Sequence, residues 1–442
     1  MMKPTLLIAA LSLAVPLFAG PAWSANLGEI YRLARGNDAK LAAAREAYNA
    51  GQEKIPQGRA GLLPNVSLSA NYQQSNTDSS AFGSVSNTPY GYRLALVQPI
   101  YRKQNLEAYE QAKIQALLSE QQLKLAEQDL LLRVATAYFD VLQAQDALAT
   151  AQSQKQAFAE QLAQARKSFE VGAATITDTH EAQARYDLTT SQEIAGLNDL
   201  EVKRRTLEKI ISQETPGLAH VVDGTRMPLP EPANMDAWVK QAEDGSLNVV
   251  LNQSNLELAR REVERQRGGY LPMLDLQASY SDNRNTSTTL GATSASTKTG
   301  LIGLGLEWNL YEGGANNSRV REAVANQEKS RYDLDEARRQ SRLDARQGFL
   351  GVLSGEAQVR ALEQALVSSE AQLRSTKLGL EVGVRTRVDV LNAQQQLFTT
   401  KRDLSAARYR TLLAGLQLKA AAGTLTENDL KALDALLVEA KK

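Results

Sequence analysis

At 442 residues the chain is long enough for two to four domains, and its 50 Lys and Arg residues balance 50 Asp and Glu. This zero net charge argues against a nucleic-acid-binding protein, which needs a basic surface to neutralise phosphates. The sequence has no cysteine and two histidines, which excludes disulfides, thiolate metal sites, a lipidated N-terminal Cys and a histidine metal cluster.

The first 24 residues have the pattern of a secretory signal peptide. Lys3 supplies the positive charge, the apolar stretch runs from Leu6 to Ala19, and Ala22 and Ser24 form a small-x-small cleavage site. A short transmembrane anchor is the alternative, but the apolar stretch is too short and contains Pro16. We expect cleavage after Ser24 or Ala25, and any membrane span of the exported chain to be built from β-strands.

The mature chain then repeats one order of elements. Each half begins with an amphipathic helical stretch, at 27–55 and at 237–267. Two segments with alternating apolar and polar residues follow, at 65–72 and 92–97 in the first half and at 274–281 and 302–309 in the second. This period-two alternation predicts strands. The Ser-, Thr-, Asn- and Gly-rich segments between them, 73–89 and 281–298, are predicted to be solvent-exposed loops.

Four strands per chain suggest a barrel that is shared between chains. A soluble β-sandwich is the alternative, but four strands make a poor sandwich, and a closed barrel needs about eight. Two chains would supply eight strands and three would supply twelve, each with an apolar face for lipid. Aromatic residues near the strand ends suit an interfacial girdle: Tyr72, Tyr90, Tyr92, Tyr280 and Trp308.

A long helix follows the strands in each half. The first runs from about Arg102 to Glu170 without Gly or Pro, and nearly seventy helical residues span about 100 Å. The second runs from about Ser318 to Leu380, and a further helix returns from each. Apolar residues at heptad spacing indicate coiled-coil packing. A plain helical bundle is the alternative, but the neighbouring strands and the export signal favour a long projection below a barrel.

The two halves are copies of one unit. FEVGAATITD, from Phe169, recurs as LEVGVRTRVD, from Leu380, and 62–72 resembles 270–280. The chain therefore divides into a signal peptide (1–24), a first repeat (25–214), a Pro- and Gly-rich connector (215–234), a second repeat (235–423) and a C-terminal segment (424–442).

The repeated ten residues predict a tight corner between two helices. Gly172 and Gly383 fall just after the long helices, where a left-handed residue is favoured. Thr175 and Thr386 then begin Thr-x-x-Asp, a variant capping box. Capping alone accounts for these residue types. A functional interpretation adds that both corners lie together at the far end of a tube.

Taken together, these features resemble the TolC family of trimeric outer-membrane export ducts. The resemblance covers the mature chain and rests on the duplication, LLPNVSLSANY, YLPMLDL, the paired VG-x-x-T-x-x-D corners and GTLTENDLKAL. It implies an α+β membrane protein that forms a TolC-type trimer. Four β-strands per protomer would form a shared 12-stranded outer-membrane barrel, and the long α-helices would form a coiled-coil tunnel in the periplasm. The lack of cysteine matches the non-lipidated branch of the family.

The resemblance also implies a gate at the periplasmic end. The residues of the gate latch correspond to Thr177 and Asp178 on one hairpin and Arg385 on the other. A latch tyrosine of the family is replaced by Leu380, so we expect a weaker resting closure. Latch hydrogen bonds contribute about 1–3 kcal/mol each, which a docking partner can offset.

Two further sets of residues follow from the same resemblance. The selectivity constriction corresponds to Asp389 and Asn392, so a trimer would carry three carboxylates there rather than six. We therefore expect a weaker preference for cations. The one metal interaction expected is a cation that binds at Asp389 and blocks the duct. No cofactor is expected. The adaptor-docking tips correspond to the two corners: Gly172, Thr175, Gly383 and Thr386.

The function implied is that of an exit duct in a tripartite efflux or type I secretion system. Such a duct lies in the Gram-negative outer membrane, has a long periplasmic extension, and conducts small molecules or polypeptides passively across the periplasm and the outer membrane. The implied partners are two further copies of the chain, a periplasmic adaptor, an inner-membrane ABC or RND-type transporter and outer-membrane lipid, without nucleic acid. A periplasmic adaptor, which also has helical hairpins, is the alternative. We expect no enzyme activity, since acidic residues are spread along helix faces and His180 and His220 have no companions in sequence.

Overall fold

The computed structural model describes residues 25–80, 83–222, 224–287 and 295–438. The proposed signal peptide lies outside the described residues. The helices in these ranges are α1 (Leu27–Asn37), α2 (Ala39–Gln52), α3 (Lys54–Ala60), α4 (Lys103–Glu170), α5 (Ile176–Ile211), α6 (Met235–Gly245), α7 (Leu247–Arg267), α8 (Ala315–Glu381), α9 (Arg387–Ala421) and α10 (Glu427–Asp434). The strands are β1 (Asn65–Tyr72), β2 (Ser75–Ser79), β3 (Gly83–Tyr101), β4 (His220–Val221), β5 (Met273–Ser287), β6 (Ala295–Glu307) and β7 (Leu437–Val438).

All four predicted strand segments lie in one antiparallel sheet. Its order is β1–β3–β5–β6, and β2 pairs with the part of β3 beyond β1. The two halves of the chain meet where β3 pairs with β5, with Leu96 opposite Ala278. Apolar side chains such as Val66 and Ile302, the latter 78% exposed, protrude from the outer strands. Alternation therefore gives this sheet an uncovered apolar face.

The loop predictions for 73–89 and 281–298 were wrong over most of their length. β2 and the first residues of β3 occupy much of the first segment, and β5 continues to Ser287 while β6 resumes at Ala295. Ser75 lies opposite Asn87, and Asp282 lies opposite Lys298. Backbone ladders do not require apolar side chains, so the strands continue beyond the segments with an apolar face.

The two long helices are confirmed, and each forms a hairpin with the helix that follows it. α4 packs on α5, and α8 packs on α9. α4 has 68 residues, which correspond to about 100 Å of helix. Within the described ranges, none of the helices combines the length and apolar character that a bilayer crossing requires.

The amphipathic stretches at the start of each half are interrupted helices. Asp38 ends α1 and begins α2, where its Oδ1 accepts from the Leu41 N–H at 2.8 Å. The same carboxylate accepts from Arg133 of α4 at 3.0 and 3.1 Å. Ser246 separates α6 from α7 in the second half. These breaks let short helices pack against α4 and α8.

The main apolar core lies midway along the helices. It joins α1, α4, α5, α9 and α10 to buried connector residues Leu218 and Met227. The connector also supplies β4, which pairs with β7 near the C-terminus. Tyr138 of α4 is fully buried, and its hydroxyl donates to the Ala219 carbonyl at 2.8 Å. The connector is therefore packed into the core rather than lying free.

Candidate functional site

The two corners have the geometry that the sequence predicts. Gly172 has a φ of +73° and Gly383 a φ of +78°, the left-handed conformation in which glycine avoids Cβ strain. In the first corner the Ala173 N–H donates to the Ser168 carbonyl at 2.8 Å, and the second corner has the equivalent bond at 2.9 Å. These six-residue closures are the Schellman arrangement, which turns the chain at the end of a helix.

Both capping boxes are also confirmed. The Thr175 N–H donates to Asp178 Oδ2 at 3.0 Å, and the Asp178 N–H donates back to Thr175 Oγ1 at 3.2 Å. Thr386 and Asp389 repeat the pair at 2.9 and 3.2 Å. Each box satisfies two amides of the first helical turn, so both returning helices, α5 and α9, begin at a fixed residue.

Asp389 is held in its ionised form. The Thr386 N–H and then the Thr386 hydroxyl lower the pKa of the Asp389 carboxyl, and the charge of Arg385 lowers it further. The side chain lies at the surface of α9, where its negative charge meets solvent. A carboxylate in this position can attract a cation, although one of its oxygens already serves as a cap.

The predicted latch residues do not meet within one chain. Among the described residues, no hydrogen bond or ion pair joins Arg385 to Thr177 or Asp178. Asp178 is engaged with Thr175, and Arg385 lies over Gly379, where an added Cβ would come within 2.6 Å of Arg385 Cγ.

Two contacts near the corners were not predicted. Arg185 Nη2 of α5 donates to Asn392 Oδ1 of α9 at 3.1 Å. Arg387 Nη2 of α9 donates to Ser168 Oγ at the end of α4 at 2.6 Å. Both join the α4–α5 hairpin to the α8–α9 hairpin. Asn392, one of the two residues predicted for the constriction, thus lies beside an arginine.

Apolar side chains surround the two corner glycines and are exposed. They are flanked by the caps described above, which fix the backbone that carries them. Exposed apolar groups beside a rigid turn are suited to contact with another protein. The group comprises Phe169, Val171, Ile176, Val382 and Val384.

The described residues contain no cluster of three His, Asp or Glu side chains placed to hold a metal ion. The features that stand out are instead an uncovered apolar sheet, two very long hairpins and two capped corners. This combination can form a passage and a contact surface.

Comparison with known proteins identifies the family. The outer membrane efflux protein family matches residues 30–213 and again 238–424. The chain is 32% identical over 433 residues to outer membrane protein TolC of Vibrio cholerae, covering 98% of each chain. It is 32% identical to the proteases secretion protein PrtF of Dickeya chrysanthemi, covering 96% of this chain and 94% of PrtF.

The solved structure of the Campylobacter jejuni CmeC outer membrane channel has the same fold. Its TM-score is 0.79 at 15% identity, with 99% of this chain and 97% of that chain covered. The family match spans both repeated halves and the full-length relatives share about a third of their residues. The chain therefore belongs to the outer membrane efflux protein family and is an outer-membrane exit duct.

Proposed function

We propose that three copies of the chain form one gated duct, which conducts substrates from the periplasm to the cell exterior for efflux or type I secretion. The observation that carries this proposal is the sheet, which is four strands wide because β1 and β2 share one side of β3, with apolar side chains exposed on β1 and β6. Three such sheets provide the twelve strands of a closed barrel, in which every edge strand finds a partner. Family membership leaves the adaptor alternative without support.

The hairpins would form the periplasmic tunnel, with the two corners at its end. Arg385 of one hairpin would meet Thr177 and Asp178 across the trimer, as a latch that opens when a partner docks. Leu380 offers no hydroxyl to this latch, so its closure would be weak. Asp389 would supply three carboxylates to the constriction, enough to attract a cation, with Asn392 contributing none.

The partners follow from where the contact groups lie. Gly172, Thr175, Gly383 and Thr386 shape the corners that would meet a periplasmic adaptor, and the exposed apolar side chains beside them would add contact area. An inner-membrane ABC or RND-type transporter would supply the energy, because the duct itself conducts passively. In this proposal the chain consists of a signal peptide, two repeats, a connector between them and a C-terminal segment.

The native mass of the detergent-extracted mature protein tests the trimer. Three chains are expected. A monomer would leave four strands unable to close, and the trimeric duct would have to be abandoned.

A substitution pair on β6 tests which face meets lipid. Ile302→Lys places a charge on the apolar face and is expected to cost about 2–4 kcal/mol at the bilayer midplane, with loss of outer-membrane insertion. Gly303→Lys is the matched control, because the next residue points to the opposite face and an added Cβ there meets nothing within 4 Å. Equal loss from both variants would contradict the assignment of faces.

A further inference from the structure

The face of α9 that carries the predicted constriction is not covered by the rest of the chain. Asp389 and Asn392 are three residues apart, so they lie on one side of the helix with their Cβ atoms about 5–6 Å apart. Asn392 and Gln396, on the next turn, are both exposed. A charge that reaches this face therefore acts on the space in front of it. The residues between these positions are buried: Val390, Leu391, Ala393 and Gln394.

Arg185 of α5 brings a positive charge to this face. Its Nη2 donates to Asn392 Oδ1 at 3.1 Å, so the guanidinium lies one helical turn from Asp389. The acceptor is a neutral amide, which orients the guanidinium without cancelling its charge. The Arg185 side chain is 30% exposed, so solvent reaches it. The level of α9 that offers Asn392 in place of a second carboxylate is thus occupied by a cation.

Two further charged groups lie close to Arg185 and Asp389. Glu181 Oε1, one turn earlier on α5, is 3.8 Å from Arg185 Nη2. The pKa of the Asp389 carboxyl is lowered by its hydrogen bonds to Thr386 and then by the charge of Arg385, so this carboxylate is ionised and has a cation near it. Among the described residues that these contacts connect, two carboxylates and two guanidinium groups balance each other.

Other charged side chains near the corners are directed elsewhere. Arg387 Nη2 donates to Ser168 Oγ of α4 at 2.6 Å, on the side of α9 away from Asn392. The Asp178 carboxylate accepts from the Thr175 N–H and belongs to the first cap. Removal of Arg185 alone would therefore leave the region around Asn392 with a net negative charge.

We propose that Arg185 is a specificity-determining residue of the duct: its guanidinium, held by Asn392, offsets the negative charge of the constriction, so that anionic solutes pass as readily as cationic ones. Charges one turn apart lie within the Debye length of about 10 Å at 0.1 M salt, so a permeating ion responds to their sum. The inference deepens the proposed function, on which it rests, by naming the charge class of solutes that the duct admits.

The permeability ratio of K⁺ to Cl⁻ tests this role, measured from the reversal potential of open trimers in planar bilayers under a KCl gradient. The unsubstituted protein is expected to have a ratio of about 1. Arg185→Gln keeps a hydrogen-bond donor for Asn392 but removes the charge. It should raise the ratio about fourfold, the factor for one unit charge about 5 Å away in water. An unsubstituted duct that strongly prefers K⁺, or a ratio unchanged by Arg185→Gln, would overturn the proposal.

Three variants show whether charge at this position is responsible. Arg185→Lys keeps the charge and should keep the ratio of the unsubstituted protein, and Glu181→Gln removes the nearest carboxylate and should shift the ratio towards Cl⁻. Arg166→Gln is the matched control, because Arg166 Nη2 donates to Gln183 Oε1 at 2.7 Å within the α4–α5 hairpin. Its ratio should be unchanged. Equal shifts for Arg166→Gln and Arg185→Gln would attribute selectivity to the overall charge of the hairpin and overturn the proposal.

The cysteine-free sequence allows the charge to be changed at one position. Arg185→Cys introduces a single thiol, whose thiolate attacks a methanethiosulfonate reagent to form a mixed disulfide and release sulfinate. A trimethylammonium reagent restores a positive charge and should return the ratio towards that of the unsubstituted protein. A sulfonate reagent adds a negative charge and should raise the ratio further. Equal ratios after the two reagents would contradict the role of charge at position 185.

Conduction separates failure of this inference from failure of the proposed function. If trimers conduct with a ratio that Arg185→Gln does not change, the duct stands and the role of Arg185 is wrong. If purified trimers do not conduct at all, the proposed duct and this inference fail together.

Discussion

Arg102 and Asp275 connect the two halves of the chain where the sheet meets the long helices. Arg102 Nε donates to Asp275 Oδ1 at 2.7 Å, and Nη2 donates to the other carboxylate oxygen, so the pair is bidentate. Arg102 immediately precedes α4, whereas Asp275 lies on β5 and is 8% exposed. One ion pair thus joins the start of a helix of the first half to a strand of the second half.

Arg102→Ala is expected to destabilise the protein by about 3 kcal/mol, because it leaves the Asp275 carboxylate buried without its guanidinium. The thermal unfolding midpoint of the detergent-solubilised protein measures this loss. Arg319→Ala is the control, since it removes an exposed pair with Glu312 at 3.5 Å and should cost about 0.5 kcal/mol or less. Equal midpoints for the two variants would contradict the structural role of the Arg102 pair.

Gly383→Ala and Gly415→Ala are expected to shift stability in opposite directions. An added Cβ meets nothing within 4 Å at either position, so packing does not distinguish them. Gly383 has a φ of +78°, where Ala is strained, and its substitution should cost about 1 kcal/mol. Gly415 lies inside α9, where Ala is favoured over Gly by about 1 kcal/mol. Thermal midpoints measure both, and shifts of the same sign would be inconsistent with this reasoning.

The corners were predictable in residue detail because a cap depends on local sequence. Gly172, Thr175 and Asp178 lie within seven residues. Glycine tolerates the left-handed conformation that ends the first helix, and Thr-x-x-Asp forms the capping box that begins the next. The break at Asp38 was missed, although Asp is a strong N-cap residue within the predicted helical stretch.

The remaining features depend on contacts between distant residues. The polar parts of β3 and β5 pair with each other across the two halves, as with Thr88 opposite Thr286, and show no apolar alternation that would identify them as strands. Arg185 and Asn392 are 207 positions apart, so their contact depends on how the two hairpins are rotated against each other. A periodic pattern identifies the buried face of a helix, but not which residue it meets on another.

Arg385→Ser is expected to raise the conductance of the trimer in planar bilayers, because it removes the charged donor of the proposed latch. Leu380→Tyr should act in the opposite direction by restoring a hydroxyl at the latch, and Leu380→Phe, which adds the ring without the hydroxyl, is its control. Conductance left unchanged by Arg385→Ser would count against the latch. Equal effects of Tyr and Phe at position 380 would attribute closure to ring packing instead.

Glu262 makes part of the stability dependent on pH. It lies on α7, accepts from Arg265 Nε and Nη2 at 2.7 Å each, and accepts from Gln111 Nε2 of α4 at 2.8 Å. Burial raises the pKa of its carboxyl, but these hydrogen bonds to Arg265, Gln266 and Gln111 outweigh that effect and lower the pKa from 4.5 to about 2. The Glu262 carboxylate therefore binds a proton less readily in the folded state than in the unfolded state.

The sign of the pH effect follows from this depressed pKa. The contribution of Glu262 is fully present above pH 4.5 and is lost as the pH falls from 4.5 towards 2. Glu262→Gln should lower stability by about 1 kcal/mol at neutral pH, after allowance for solvent screening of the partly exposed pair. Below pH 4.5 the difference from the unsubstituted protein should shrink. Thermal midpoints recorded across this range measure it.

Glu264→Gln is the matched control on the same helix. Its ion pair with Arg267, at 2.8 Å, is exposed, and within the described part of the chain Glu264 has no hydrogen bond to α4 like the one that Glu262 accepts from Gln111. This variant is expected to follow the pH curve of the unsubstituted protein. A Glu262→Gln curve that runs parallel to the unsubstituted one from neutral pH to pH 2 would show that the carboxylate does not stabilise the packing of α7 on α4.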